Sequence, residues 1–482
     1  MNSVSKKEKL NAFLMILVFT FCYQLLMANS LTPLGSFEGD DSLVFKQMGL
    51  GMLQGKIPYV DLFDHKGPVI YFINAFCQWL IAGRWGLFLG FCLNIALATY
   101  VWWLIAKVLV RSWEAIWPVV VGLCSYMVVL SDGNLSEEWS LVPISYALYV
   151  FVRHFVEGRE ISRRAFFLVG VSLGIVTFIR LNNAAAPCCA ILVYTICHLH
   201  RRIVTPSQLL KSLLTIFLGW AAVLVVSTLV IFCLYGSEGV VAMFYGTFVF
   251  NFEYMGAPLA VASDRKLVYI YFGLTTLVIL ILLLLKRRVT TFSVLIALCY
   301  LGSFAAIGSK GWGNYFIIFV PVTVMATAYL YEVTNKLQKS LVLLMLFFVV
   351  PRNVYLSSMT LDRDADFFMV ADEEFMKIPE AERGQVWNNA HFNGLALLHR
   401  HGLTQANSVM INFQMLISER LKLAEKARFD SLRPAWILAP KAFEEEMPLP
   451  LDSNRVISSY QLKAVVGDKP WRKLYFYQKI EE

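Results

Sequence analysis

Residues 38–75 read EGDDSLVFKQMGLGMLQGKIPYVDLFDHKGPVIYFINA, and the apolar run at their end decides the topology of everything after it. That run, 69–82, holds about fourteen mainly apolar residues, fewer than the ~20 that a bilayer core requires of a helix. Counted as a span, it inverts every later loop and destroys the charge asymmetry between the two sides. Left outside as an interfacial or re-entrant helix, it lets Lys and Arg sort cleanly.

The chain has 482 residues, 58% hydrophobic and only 16% charged, whereas a soluble domain is about half apolar and a quarter charged. It reads as an integral membrane protein. Apolar runs fall at 10–28, 86–106, 113–130, 140–153, 165–180, 184–199, 212–235, 267–285, 291–308, 315–331 and 340–351, about eleven spans. Seventeen Lys and Arg lie on one side: Lys6, Lys7 and Lys9; Lys107 and Arg111; Arg153, Arg159, Arg163 and Arg164; Arg201, Arg202 and Lys211; Lys286 to Arg288; Lys336 and Lys339. Eight lie on the other: Lys46, Lys56, Lys66, Arg84, Arg180, Arg265, Lys266 and Lys310. Positive loops stay in the cytoplasm, so the N-terminus is expected inside and the C-terminus outside.

The formal net charge of +8 is therefore a topology signal rather than a nucleic-acid footprint. The nine cysteines lie in or beside apolar runs, which excludes a disulfide scaffold, and no metal-type Cys/His spacing appears. The basic N-terminal stretch with its long apolar run is expected to remain as a span rather than to be cleaved. Past Val350 the composition turns acidic and cysteine-free. The expected organisation is a membrane domain over 1–351, with a first outward loop over 29–85, and an extracytoplasmic domain over 352–482. Strand-like pieces at Trp436–Leu438 and Lys473–Tyr477, with a helical stretch near 407–426, suggest a small α/β fold.

Ionisable groups at the ends of spans are costly and rarely idle, and here they gather on the outward side. Asp40 and Asp41 open a helical pattern in which Phe45, Met48 and Met52 recur, so that one apolar face suits the membrane surface. A carboxylate at that start could serve as a general base, or either Asp could simply cap the helix. Lys66, beside Asp64 and His65, suits a lipid-linked phosphate at the bilayer surface, or else a plain Asp64 to Lys66 surface pair. Asp61, Asp64 and His65 would also serve as metal ligands.

The second outward loop carries Asp132, Glu137 and Glu138, with Asn134 and Glu137 at capping-box spacing. Arg180 suits forked phosphate contacts or snorkelling. Lys310, Trp312, Asn314 and Tyr315 mark a further outward end. A long aromatic loop is expected at 236–266, holding Tyr245, Phe248, Phe250, Phe252 and Tyr254.

The 38–75 segment resembles the first outward loop of bacterial GT-C type polytopic glycosyltransferases, relatives of the protein O-mannosyltransferases and the lipid A aminoarabinose transferases. GNLSEEWSLVP, residues 133–143, is similar to their second acidic loop. The resemblance implies an all-α polytopic bundle with outward interfacial helices in the cytoplasmic membrane. It also implies transfer of a sugar from a polyprenyl-phosphate donor to a lipid, glycan or protein acceptor on the outer face. It makes Asp41 the general base, with Asp40 the adjacent candidate, and gives the donor phosphate to Lys66 with Arg180 and His65. Glu137 or Glu138 becomes the second acidic group, and Asp41 and Glu138 become candidates should a divalent metal take part. Gly313-Asn314-Tyr315 departs from the His-Tyr pair of some relatives.

A transporter would place charges mid-span in two related halves, and neither is present. A polysaccharide polymerase or ligase would share the donor but would carry its long outward loop late in the bundle. A non-enzymatic envelope scaffold is the remaining alternative.

Overall fold

The computed structural model describes residues 5–28, 30–35, 38–129, 133–202, 205–256, 266–285, 290–307, 313–361, 365–411, 413–443, 458–469 and 472–480. The chain forms two compact units. One comprises Met1–Ala28, Phe88–Thr228 and Leu259–Ser357; the other comprises Asn29–Leu87, Leu229–Pro258 and Ser358–Glu482.

The first unit is helical. Among the described residues of the whole chain, six helices are long and apolar enough to cross a membrane: Lys6–Met27, Arg84–Leu109, Ser136–Glu157, Leu181–His200, Pro206–Gly256 and Gly313–Glu332. Shorter apolar helices lie at Trp113–Val129, Phe272–Ile281 and Thr291–Ile307. The architecture is an all-α, multi-pass membrane bundle. Glycines bring neighbouring helices together: a Cβ on Gly170 would overlap the carbonyl oxygen of Ile216, and one on Gly219 that of Phe167. Such small-residue seams pack helices where lipid removes the hydrophobic drive.

The last two expected spans lie within one helical trace, Val320–Leu361. Its hydrogen bonds show that it doubles back. Gln338 Nε2 donates to Thr327 O at 2.7 Å, although eleven residues of straight helix would separate them by about 16 Å. Lys339 then reaches Glu114 (2.6 Å) at one end of the Ile116–Val129 helix, and Asn353 donates to Met127 O (2.9 Å) at the other. The 339–353 leg therefore runs alongside that helix in the same direction.

In the second unit, the Asp40–Leu53 and Pro68–Leu80 helices cross closely, since a Cβ on Gly49 would sit 2.7 Å from Ala75 N. Thirteen residues make Pro68–Leu80 about 20 Å long, short of the ~30 Å hydrocarbon core. It exposes Phe76, Trp79 and Leu80 while burying Ile70, Tyr71 and Asn74.

Two expectations are corrected here. Phe45 and Met48 do not face the membrane surface. Both are buried, and the Phe45 ring packs 6.3 Å from Tyr71, because the neighbouring helix offers that face a protein partner. The expected aromatic loop at 236–266 is helical through Gly256. The Pro206–Phe244 helix breaks only at Gly236, where φ is 67°, and a π-turn at Tyr245–Val249 leads into Phe250–Gly256.

The C-terminal segment folds around a sheet of order β1-β2-β4-β3, with β1 Val386–Asn388, β2 Trp436–Ala439, β3 Tyr460–Lys469 and β4 Arg472–Lys479. β1 and β2 are parallel and the other pairs antiparallel. Phe375, Leu398, Leu438 and Phe476 fill one core, and Trp387, Ile437, Tyr475 and Tyr477 another. The helix expected near 407–426 starts later, as Phe413–Ile417 and Glu419–Leu432. Residues before it are pinned instead by buried Glu425, which accepts from Ser408 N (2.7 Å) and Val409 N (3.1 Å).

This segment is built against the first loop. Gln47 donates to Leu403 O, Gln54 to Gly402 O, Lys56 to Gln405 O, and Phe63 N to Ser408 O. These bonds satisfy backbone groups that a loop would otherwise offer to water.

Candidate functional site

The helix behind the candidate base starts one residue earlier than the pattern suggests. Gly39, extended, is its N-cap, so Asp40 and Asp41 are not caps; they occupy the first turn. There their charge meets the positive end of the helix dipole. Asp40 is exposed and Asp41 half-buried.

Two residues before Asp40, Glu38 anchors a buried charge cluster that sequence reasoning missed. Glu38 accepts from Lys46 Nζ (2.5 Å) and from Arg84 (2.6 Å); Lys46 also donates to Ser30 O (2.6 Å) and Arg84 to Thr32 O (3.1 Å). Burial works to raise the Glu38 carboxyl, but the two cations prevail and hold it near about 2. Burial lowers the proton affinity of Lys46, against the pull of Glu38.

Asp64, His65 and Lys66 come together as a chain of side chains. His65 Nδ1 lies 3.2 Å from Asp64 Oδ1, off the ideal hydrogen-bond line, and His65 Nε2 lies 3.0 Å from Lys66 Nζ. All three are buried, at 2%, 7% and 8% exposure. Tyr71 OH donates to Asp64 (2.8 Å), and Gln414, far along the chain, donates to its other oxygen (3.3 Å). Asn251 donates to His65 O (2.8 Å) and Tyr59 OH to Lys66 O (2.9 Å). Burial opposes ionisation of Asp64, but Lys66 and His65 outweigh it and keep the carboxyl well below the usual range. Tyr59 has φ 67°, a strained conformation for a bulky residue that persists where its surroundings over-determine it.

The second acidic group lies in the first unit, where Glu137 and Glu138 part ways. The helix beginning at Ser136 is closed by Glu138, whose Oε2 accepts from Leu135 N (2.8 Å) while Oε1 accepts from Tyr126 OH (2.6 Å). The box expected from Asn134 to Glu137 is thus shifted by one residue, and Asn134 instead accepts from Trp139 Nε1 (2.7 Å). Glu137 is released to salt-bridge Arg180, and it also accepts from Ser136 (3.0 Å) and Asn314 (3.4 Å). The Arg180 guanidinium stacks 3.8 Å from the Tyr315 ring centroid. Asp132, Lys310 and Trp312 lie outside the described residues.

Among the described residues the metal reading finds no donor set. Glu138 has both oxygens engaged. Asp61 binds Arg428 (3.3 Å) and Ile57 N (2.9 Å), and among the described residues no three His, Cys, Asp or Glu gather as a metal set.

A multi-span bundle, a short helix pair after the first span and a C-terminal α/β segment together define a GT-C type membrane architecture. The crystal structure of ArnT, the lipid A aminoarabinose transferase, from Cupriavidus metallidurans bound to undecaprenyl phosphate shares this fold. Its TM-score is 0.62 at 13% identity, with 98% of each chain covered. The same protein in the apo state gives 0.62 at 14% identity, covering 96% of this chain and 97% of that one. No family model and no curated protein matches the chain.

Proposed function

We propose that the protein transfers a sugar from a polyprenyl-phosphate donor to an acceptor hydroxyl at the outward face of the cytoplasmic membrane. The observation that carries this reading is Lys66. Among the described residues, the hydrogen-bond partner of its buried ammonium is a ring nitrogen rather than an acid. Two of its N–H groups are then available to anionic oxygens. A shared fold with an enzyme crystallised with undecaprenyl phosphate supports the choice of anion.

Asp41 takes the acceptor hydroxyl proton as the new O–C1 bond forms. The C1–O bond to phosphate breaks with its electron pair on the leaving polyprenyl phosphate, whose charge Lys66 stabilises. A single displacement inverts the anomeric centre.

Asp41→Asn should insert and fold normally yet lower transfer from an undecaprenyl-phosphate sugar by at least about a hundredfold. Wild-type turnover by that variant in proteoliposomes would remove Asp41 as the base.

A further inference from the structure

An ammonium carries donors only, so a ring nitrogen 3.0 Å from Lys66 Nζ must supply a lone pair. His65 is then neutral, with Nε2 as acceptor and its proton on Nδ1, the nitrogen that faces Asp64 at 3.2 Å. The carboxylate selects that tautomer from the far side of the ring. The ring itself is fixed: it stacks on Tyr254 with centroids 4.9 Å apart and planes at 27°, and Asn251 holds its backbone carbonyl. Asp64 is fixed in turn by Tyr71 and Gln414. With the proton on Nε2 instead, an N–H would point at the ammonium and push it away.

We infer that Asp64 and His65 are positioning residues for the donor phosphate: Asp64 sets the imidazole tautomer, and His65 aims the Lys66 ammonium. This rests on the reading of Lys66 as the phosphate-binding group and adds the device that orients it. Two variants separate positioning from mere packing. Asp64→Asn keeps the shape but removes the charge that holds the proton on Nδ1. His65→Gln places an amide oxygen near the former Nε2 position, whereas the shorter His65→Asn cannot reach Lys66.

The experiment is binding of undecaprenyl phosphate to the purified full-length protein in detergent, paired with the KM for the sugar-loaded donor and with thermal unfolding. Asp64→Asn and His65→Asn should each weaken binding by about tenfold to a hundredfold and raise KM more than they lower kcat. His65→Gln should recover most of the loss, and Lys66→Ala should bind worst. Equal binding by His65→Asn and His65→Gln, or wild-type binding by Asp64→Asn while Lys66→Ala fails, overturns the positioning role and leaves the donor reading standing. Wild-type binding by Lys66→Ala removes the donor reading itself. Should Asp64→Asn not fold, the two His65 variants decide by themselves.

Discussion

Lys46 and Lys66 both place an ammonium in the interior of the second unit, and their partners give them opposite roles. Lys46 meets Glu38 and a backbone carbonyl, and Arg84 covers the other oxygen of Glu38. That cation is neutralised within the protein. Lys66 meets a neutral imidazole, while the nearest acid, Asp64, is turned to the ring, to Tyr71 and to Gln414. Burial alone therefore does not mark a functional lysine; the chemistry of its partner does.

The largest expected effect tests that contrast directly. Lys46→Met leaves a buried carboxylate with Arg84 alone and should cost about 3 kcal/mol, the lower end for a broken buried pair. Lys66→Met withdraws a charge that favours ionised Asp64 but leaves that carboxylate its bonds to Tyr71 and Gln414, so it should cost less than Lys46→Met, about 1 to 2 kcal/mol, while abolishing transfer. Thermal unfolding and donor turnover, measured on both variants, separate the two roles. Equal losses of stability would erase the distinction.

A smaller effect comes from His399, which stands beside the Glu38 cluster with its Nδ1 lacking a hydrogen-bond partner among the described residues. Burial lowers its pKa to about 4, Lys46 and Arg84 adding to the shift and Glu38 opposing it. The unfolded chain takes up this proton near 6.5 and the native protein only near 4, so the stability linked to neutral His399 is complete above 6.5 and is lost as pH falls towards 4. Glu38, held at about 2, loses its contribution as pH falls from 4.5 towards 2, so it meets this window only at its acid end and the slope above about pH 5 is the part that tests His399. The unfolding midpoint should fall between pH 6.5 and 4 in the wild type. The slope should flatten in His399→Gln, and an unchanged slope would show that other groups titrate there.

The pattern of apolar runs carries the helices, and the pieces at 436–438 and 473–477 fall within β2 and β4, because span length and alternation are local properties. Caps were harder to place. Gly39 and Leu135 lack the side-chain oxygen that makes a cap recognisable, and the true N3 partner, Glu138, adjoins an equally plausible Glu137. The reversal before Lys339 was legible from the separate apolar runs 315–331 and 340–351 with Lys336 and Lys339 between them, whereas its closure by Gln338 on Thr327 was not. Pairings such as Gln414 with Asp64, or Arg84 with Glu38, join residues whose proximity only tertiary structure creates. The Asp64-His65-Lys66 triplet could be read as a cluster, but the order of contacts within it, and hence its chemistry, required coordinates.

The smallest expected effect probes the loop behind Lys66 while leaving the Lys46 cluster untouched. Gly246, in the π-turn, faces the Tyr59 ring: a Cβ there would overlap Tyr59 Cδ1 and stand 3.0 Å from Cε1 and 3.3 Å from Asp64 O. The ring has little room to yield, since its hydroxyl is bonded to Lys66 O and its backbone already sits at φ 67°. Gly246→Ala should therefore cost about 1 kcal/mol through overpacking, and the strain should be released through the Lys66 carbonyl. Affinity for undecaprenyl phosphate should drop by a few fold while the pH dependence of unfolding set by His399 stays as in the wild type. A loss of stability with no change in affinity would show that Tyr59 only fills space, and that the aim of the ammonium is set by His65 without help from the backbone beneath it.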